Sequence, residues 1–304
     1  MTDPTAAPDR LSYGFTIKAM LVPLLTRPLV ARCIKYTVYS ALVINFGFYI
    51  YDDYMAFKAA LPEDAPWSEI LTQFSTTIDM FAWLGLVFLF ELETYALPDE
   101  AFDSWIPKAL MLLRLVCYTS IGYAAYGYTI ETLDYYKVSR LDNISNVCDL
   151  ADQGVSLQLD VIEYAEITTA NCASLSDESV FWQAAGEVSV MDDSLLHHGR
   201  FMGKIDISNA VVWLIVAFLI EIEVLIQSAD QFSSKALKVV RQAKTCFYLV
   251  LITNGAIWFF NDYYLYAWDA FLWIFGFWAI ELNLAEWEQD RRQEMSAAGE
   301  ANTA

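Results

Sequence analysis

Six stretches of this chain, approximately 35–53, 73–95, 110–131, 208–227, 244–263 and 266–285, are each apolar enough to enter a bilayer. A helix needs about 20 such residues to cross the hydrocarbon. Few architectures survive that requirement. Lipid offers no water to the backbone, so a spanning segment must satisfy its own amides as a helix or close into a barrel. The sequence predicts an all-α polytopic membrane protein. Composition agrees, with 57% hydrophobic and 18% charged residues, against roughly 25% charged in soluble domains. A formal net charge of −20 excludes a nucleic-acid binder that works through basic contacts to phosphate.

Basic residues set the expected orientation. Arg10, Lys18, Arg27, Arg32 and Lys35 precede or open the first span, and Lys235, Lys238, Arg241 and Lys244 precede the fifth. Arg291 and Arg292 follow the last span, whereas the loop after the first holds Lys58 alone. Both termini are therefore expected in the cytoplasm of a multi-pass, bacterial-type plasma membrane protein. Residues 1–34 read as a cytoplasmic or interfacial segment, with 11–30 on the membrane surface, and 288–304 as a cytoplasmic tail. Hairpins are expected over 35–97, over 108–136 with 208–228, and over 244–287.

The second hairpin is interrupted by 137–207, a polar stretch with 12 Asp or Glu against 4 Lys or Arg. It reads as an extracytoplasmic insertion. Cys148 and Cys172 are the two cysteines away from the spans, and in an oxidising compartment they are expected to form a disulfide. The alternative is two free thiols in a flexible loop. Cys33, Cys117 and Cys246, at span ends, read as small packing residues.

The even-numbered spans share a pattern. Asp79, Trp83, Phe88, Glu91 and Glu93 recur in register as Asn209, Trp213, Phe218, Glu221 and Glu223, and again as Asp269, Trp273, Trp278, Glu281 and Asn283. The odd-numbered spans align more loosely. Lys35, Tyr39, Asn45, Tyr49, Asp52 and Asp53 match Lys244, Tyr248, Asn254, Trp258, Asn261 and Asp262, with Arg114, Tyr118, Ala124, Tyr128, Glu131 and Thr132 between them. Such recurrence is the signature of an internal repeat. It predicts three parallel two-helix hairpins around a pseudo-threefold axis along the membrane normal, which disfavours transporters built on inverted repeats.

The repeated charges suggest roles. Lys35, Arg114 and Lys244 start the odd helices at the depth where Glu91, Glu221 and Glu281 end the even ones, so one ion pair per hairpin, or between adjacent hairpins, is expected. Residues two apart on a helix point about 200° from each other. Glu93, Glu223 and Asn283 would then look elsewhere, either as a central ring of oxygen ligands for a cation or out to the cytoplasm. Asn45, Tyr49 and Asp52, like Asn254, Trp258 and Asn261, lie on one helix face and form a polar stripe. The stripe either joins helices or lines a wet cavity. Asp79, Asn209 and Asp269 could cap it, with Asp53, Glu131 and Asp262 at its outer end.

Among functions, a cation channel or transporter that uses these carboxylates leads, with a monovalent or divalent cation as ligand. The acidic insertion would concentrate cations nearby. The alternative is a scaffold or accessory subunit that binds a membrane protein, or copies of itself, through its insertion and aromatic helix surfaces. No catalytic motif, cofactor-binding motif or histidine metal site is visible, so no enzyme and no cofactor are expected. The metal, if any, is left open.

Overall fold

In the computed structural model, residues 28–98, 104–228 and 234–277 are described. Residues 11–27 of the expected surface segment 11–30, the tail, and Trp278, Glu281 and Asn283 lie outside them, while 28–30 fall in the first described helix. The described chain is mostly helical. The chief helices are α1 (Pro28–Ala60), α2 (Trp67–Gln73), α3 (Ser75–Glu91), α4 (Ile106–Asp134), α5 (Asp193–Ser228), α6 (Ser234–Phe260) and α7 (264–277).

Four of them, α1, α4, α5 and α6, are long and apolar enough to cross a membrane. The count reaches five if α2 and α3, bent by 65° at their junction, make one broken span. Six spans were expected from the sequence. The sixth, 266–285, begins in α7 and runs past the described residues. Exposed apolar side chains such as Ile44, Phe48, Met111, Leu115, Phe218 and Ile252 cover these helices. Such a surface is costly in water and costs nothing against lipid tails, which are as apolar as leucine.

By its contacts the chain divides into residues 43–267 and a second unit of 1–42 with 268–304. In the second unit, Gly276 of α7 approaches Val38 of α1, where an added Cβ would lie 3.5 Å from Val38 Cγ1. In the larger unit α3 packs on α4, and α4 on α5, at positions where a side chain is missing. A Cβ on Gly127 of α4 would overlap Ser75 of α3, and Cβ atoms on Gly199 and Gly203 of α5 would overlap Tyr135 and Thr132. The last two form a Gly-x-x-x-Gly step, the spacing that lets two helix backbones approach closely.

The insertion folds into a sheet subdomain that the sequence did not reveal. Five short strands, β1 (Val138–Arg140), β2 (Ser156–Gln158), β3 (Tyr164–Glu166), β4 (Phe181–Ala184) and β5 (Ser189–Asp192), pair in the order β1-β4-β5-β2-β3. All neighbours are antiparallel except β2 and β5. Val147, Leu150, Leu157, Ile167, Phe181 and Val190 form its core. The insertion ends earlier than expected, because α5 starts at Asp193 instead of near 208. Hydropathy finds only the lipid-facing part of a helix, and the polar first turns of α5 are held by packing on Tyr135 and the sheet.

Cys148 and Cys172 are disulfide-bonded, with Cα atoms 5.0 Å apart. Cys33, Cys117 and Cys246 are free; Cys33 and Cys246 are exposed and Cys117 is half-buried. The bridge closes a loop of 24 residues in a core too small to be stable by apolar burial alone. Replacing both cysteines by serine is expected to destabilise the subdomain by about 3 kcal/mol. Limited proteolysis would show it as cleavage within 141–180 at protease levels that leave the wild type intact.

Candidate functional site

At the helix ends remote from the sheet, ion pairs at Glu93 and Glu223 close the connections between consecutive helices. Arg114 of α4 donates from Nη2 to Glu93 Oε2, just beyond α3 on a π turn over Leu92–Ala96. On α5, Glu223 accepts from Lys244 Nζ at 2.8 Å and Arg241 Nε at 2.7 Å, both on α6. The sequence pattern paired Lys35, Arg114 and Lys244 with Glu91, Glu221 and Glu281, within a hairpin or between adjacent hairpins. The structure gives Arg114 and Lys244 to the second carboxylate of each motif, and the pairs link one expected hairpin to the next.

The reason is rotational. Residues two apart cannot face one partner, and Glu221 turns to Tyr118, whose hydroxyl donates to it at 3.0 Å. Glu93 and Glu223 are therefore engaged in ion pairs. Glu91 is half-buried at the end of α3. Lys35 lies over the Tyr36 ring, 5.6 Å from its centroid.

In the polar stripe, hydrogen bonds join neighbouring helices. Asn254, 4% exposed, donates to Ser208 of α5 at 3.3 Å. Asn45 is equally buried at 3%. Asp53 accepts the Thr77 amide of α3 at 2.9 Å, and the Tyr128 hydroxyl donates to Asp79 at 3.4 Å. Asn261 turns back to the Ile257 carbonyl at 2.7 Å, and Asp262 adopts φ 70° in the turn after α6. Asp52, Asn209 and Asp269 are half-buried, and Asn209 Oδ1 is buried without a hydrogen-bond partner among the described residues.

Where this stripe reaches the sheet subdomain, the fold leaves a cavity of about 370 Å³. Small-molecule sites occupy roughly 300–1,000 Å³. Its mouth is formed by exposed Glu69, Lys137, Ala185 and Gly186, with Asp134 and Glu187 beside them. Half-buried or buried Tyr128, Glu131, Thr132, Gly203 and Asp206 also line it, as do Tyr135, Gln158 and Tyr164.

Five carboxylates, Glu69, Glu131, Asp134, Glu187 and Asp206, thus meet a single ammonium, Lys137. Lys137 is already paired with Asp134 at 3.2 Å. Burial pushes the Glu187 carboxyl above its usual range against the hydroxyl of Ser189, with like charge from Asp134 and Glu69 adding to it. Asp206 accepts from Trp258 Nε1 at 3.1 Å through one oxygen. Glu131 is half-buried, lies near Asp53 and Asp206, and has neither hydrogen bond nor ion pair among the described residues.

Sequence reasoning singled out Glu131 and missed Glu69, Asp134, Glu187 and Asp206. These come from α2, the end of α4, the turn before β5 and the first turns of α5, and no local pattern joins them. Among the described residues, no group of three or more His, Cys, Asp or Glu is arranged to hold a metal ion. No family model matches the chain, and no curated protein or solved structure matches it either.

Proposed function

We propose that this protein moves cations across a bacterial-type plasma membrane and takes them up through the acidic cavity. One observation carries the reading: five carboxylates share that cavity with one ammonium that is itself paired. Unneutralised carboxylates gathered behind low-dielectric walls attract cations and raise their local concentration. The proposed topology is six spans in three parallel hairpins, with both termini cytoplasmic and the sheet subdomain outside. The disulfide supports the outside location, since such bonds persist in oxidising compartments. Two features support the repeat. The pairs Glu93–Arg114 and Glu223–Lys244 each span 21 residues, and the equivalent Trp83, Trp213 and Trp273 are each 8% exposed.

The test is flux. Liposomes holding the full-length protein, given gradients of K⁺, Na⁺, H⁺, Ca²⁺ or methylammonium, should pass at least one of them. Glu131→Gln should lower that flux at least tenfold while keeping the wild-type circular dichroism. Flux from neither protein, with the wild type well folded, would overturn the reading. It would turn attention to a scaffold that binds a membrane-protein partner. One observation favours that second reading: the charges at the remote helix ends are consumed in ion pairs that serve packing.

A further inference from the structure

If the cavity takes cations, its shape and lining define the kind. A bare metal ion needs several oxygens converging within about 2.6 Å, and no such group occurs among the described residues. The volume points the same way, because a cavity of about 370 Å³ would leave one small ion surrounded by ordered water, each molecule of which claims about 30 Å³. The charges are also divided. Glu69, Asp134 and Glu187 gather at the mouth, where an added Cβ on Gly186 would lie 3.8 Å from Glu69 Oε1. Glu131 and Asp206, both half-buried, form a second group, with Asp53 near Glu131 and with Asp134 and Glu187 close enough to act on Glu131 as well.

Tyr135 and Tyr164 line the cavity along with these carboxylates. The Tyr135 hydroxyl accepts from Gln158 Nε2 at 3.0 Å, and Gln158 is 4% exposed. Tyr164 is half-buried near Tyr135, Glu187 and Glu131. Aromatic faces attract organic ammonium groups and pack on methylene chains, whereas a hydrated metal ion gains little from them.

We propose that the cavity binds an organic cation with two ammonium groups on an aliphatic spacer, one ammonium at Glu131 and Asp206 and the other at Glu187 and Glu69. This rests on the cation reading and goes further by naming the ligand class. The unpartnered Glu131 carboxylate is the inner anchor. The tyrosines hold the spacer. Lys137 keeps Asp134 neutralised and narrows the outer pole to Glu69 and Glu187.

Calorimetric titration of the purified full-length protein with 1,4-diaminobutane, butylamine, K⁺, Na⁺ and Ca²⁺ tests this directly. The diamine should bind at least tenfold more tightly than butylamine. Its affinity should fall at least tenfold in Glu131→Gln and several-fold in Tyr164→Leu. Glu69→Gln should weaken the diamine and leave butylamine unaffected, which a merely structural role would not do. Equal affinity for diamine and butylamine would overturn the two-headed assignment. Binding of an inorganic cation without the diamine would overturn the ligand class and leave the cation reading standing. Binding of none of the probes by folded wild type would overturn both.

Discussion

Glu223→Gln is expected to destabilise the folded protein by about 3–5 kcal/mol, the cost of breaking a buried ion pair from one side. Glu223 is shared by two bases. Its side chain and that of Lys244 are 12% and 10% exposed, while Arg241 is 54% exposed. The loss therefore falls on the Lys244 half, because the Arg241 half is screened by solvent and is worth at most about 1 kcal/mol. Glu93→Gln provides the contrast. Arg114 and Glu93 are 39% and 23% exposed, so that change should cost about 1 kcal/mol or less. A Glu223→Leu/Lys244→Met pair should recover most of the stability, since apolar residues of similar volume avoid the desolvation cost. Denaturant unfolding in detergent would measure all of these. Equal midpoints for the wild type and Glu223→Gln would mean that the α5–α6 connection is held by packing alone.

The same two pairs mark how far the sequence could be read. The spans were legible because lipid imposes one solution on a long apolar run, and α1, α4, α5 and α6 answer to four of the six stretches. The disulfide was legible because the spans account for every other cysteine. The partner of Arg114 was not, since Glu91 and Glu93 are equally near in sequence and only the rotation of the helix end decides between them. The five strands were hidden because each is three or four residues long, too short to show the alternation that marks a strand. The cavity was hidden for a further reason. Glu69, Asp206 and Glu187 meet only after α2 bends onto α3 and the sheet closes against α5, so their proximity is tertiary. Glu131 alone carried a local mark, as the charged member of the stripe on α4.

The glycines of α5 make the sharpest packing prediction. Glycine inside a helix costs about 1 kcal/mol relative to alanine, so Gly→Ala normally stabilises when the space is open. At Gly47 and Gly122 nothing lies within 4 Å of an added Cβ, and alanine there should stabilise by up to about 1 kcal/mol. At Gly203 the Cβ would sit 2.4 Å from Thr132 Oγ1 and 3.0 Å from Thr132 Cβ. Thr132 has little freedom to yield, since it is buried and its hydroxyl donates to the Tyr128 carbonyl at 2.7 Å. The helices must part, so Gly203→Ala is expected to reverse the sign and destabilise by about 1–3 kcal/mol. Gly199→Ala should act likewise through the Tyr135 ring, which an added Cβ would meet at 2.5 Å. Gly203 also lines the cavity, as Glu131 and Asp206 do, so its substitution should weaken cation binding in protein that still folds. A thermal shift series over these four alanines decides the matter: stabilisation at Gly203 equal to that at Gly47 would show that α4 and α5 are not in close contact there.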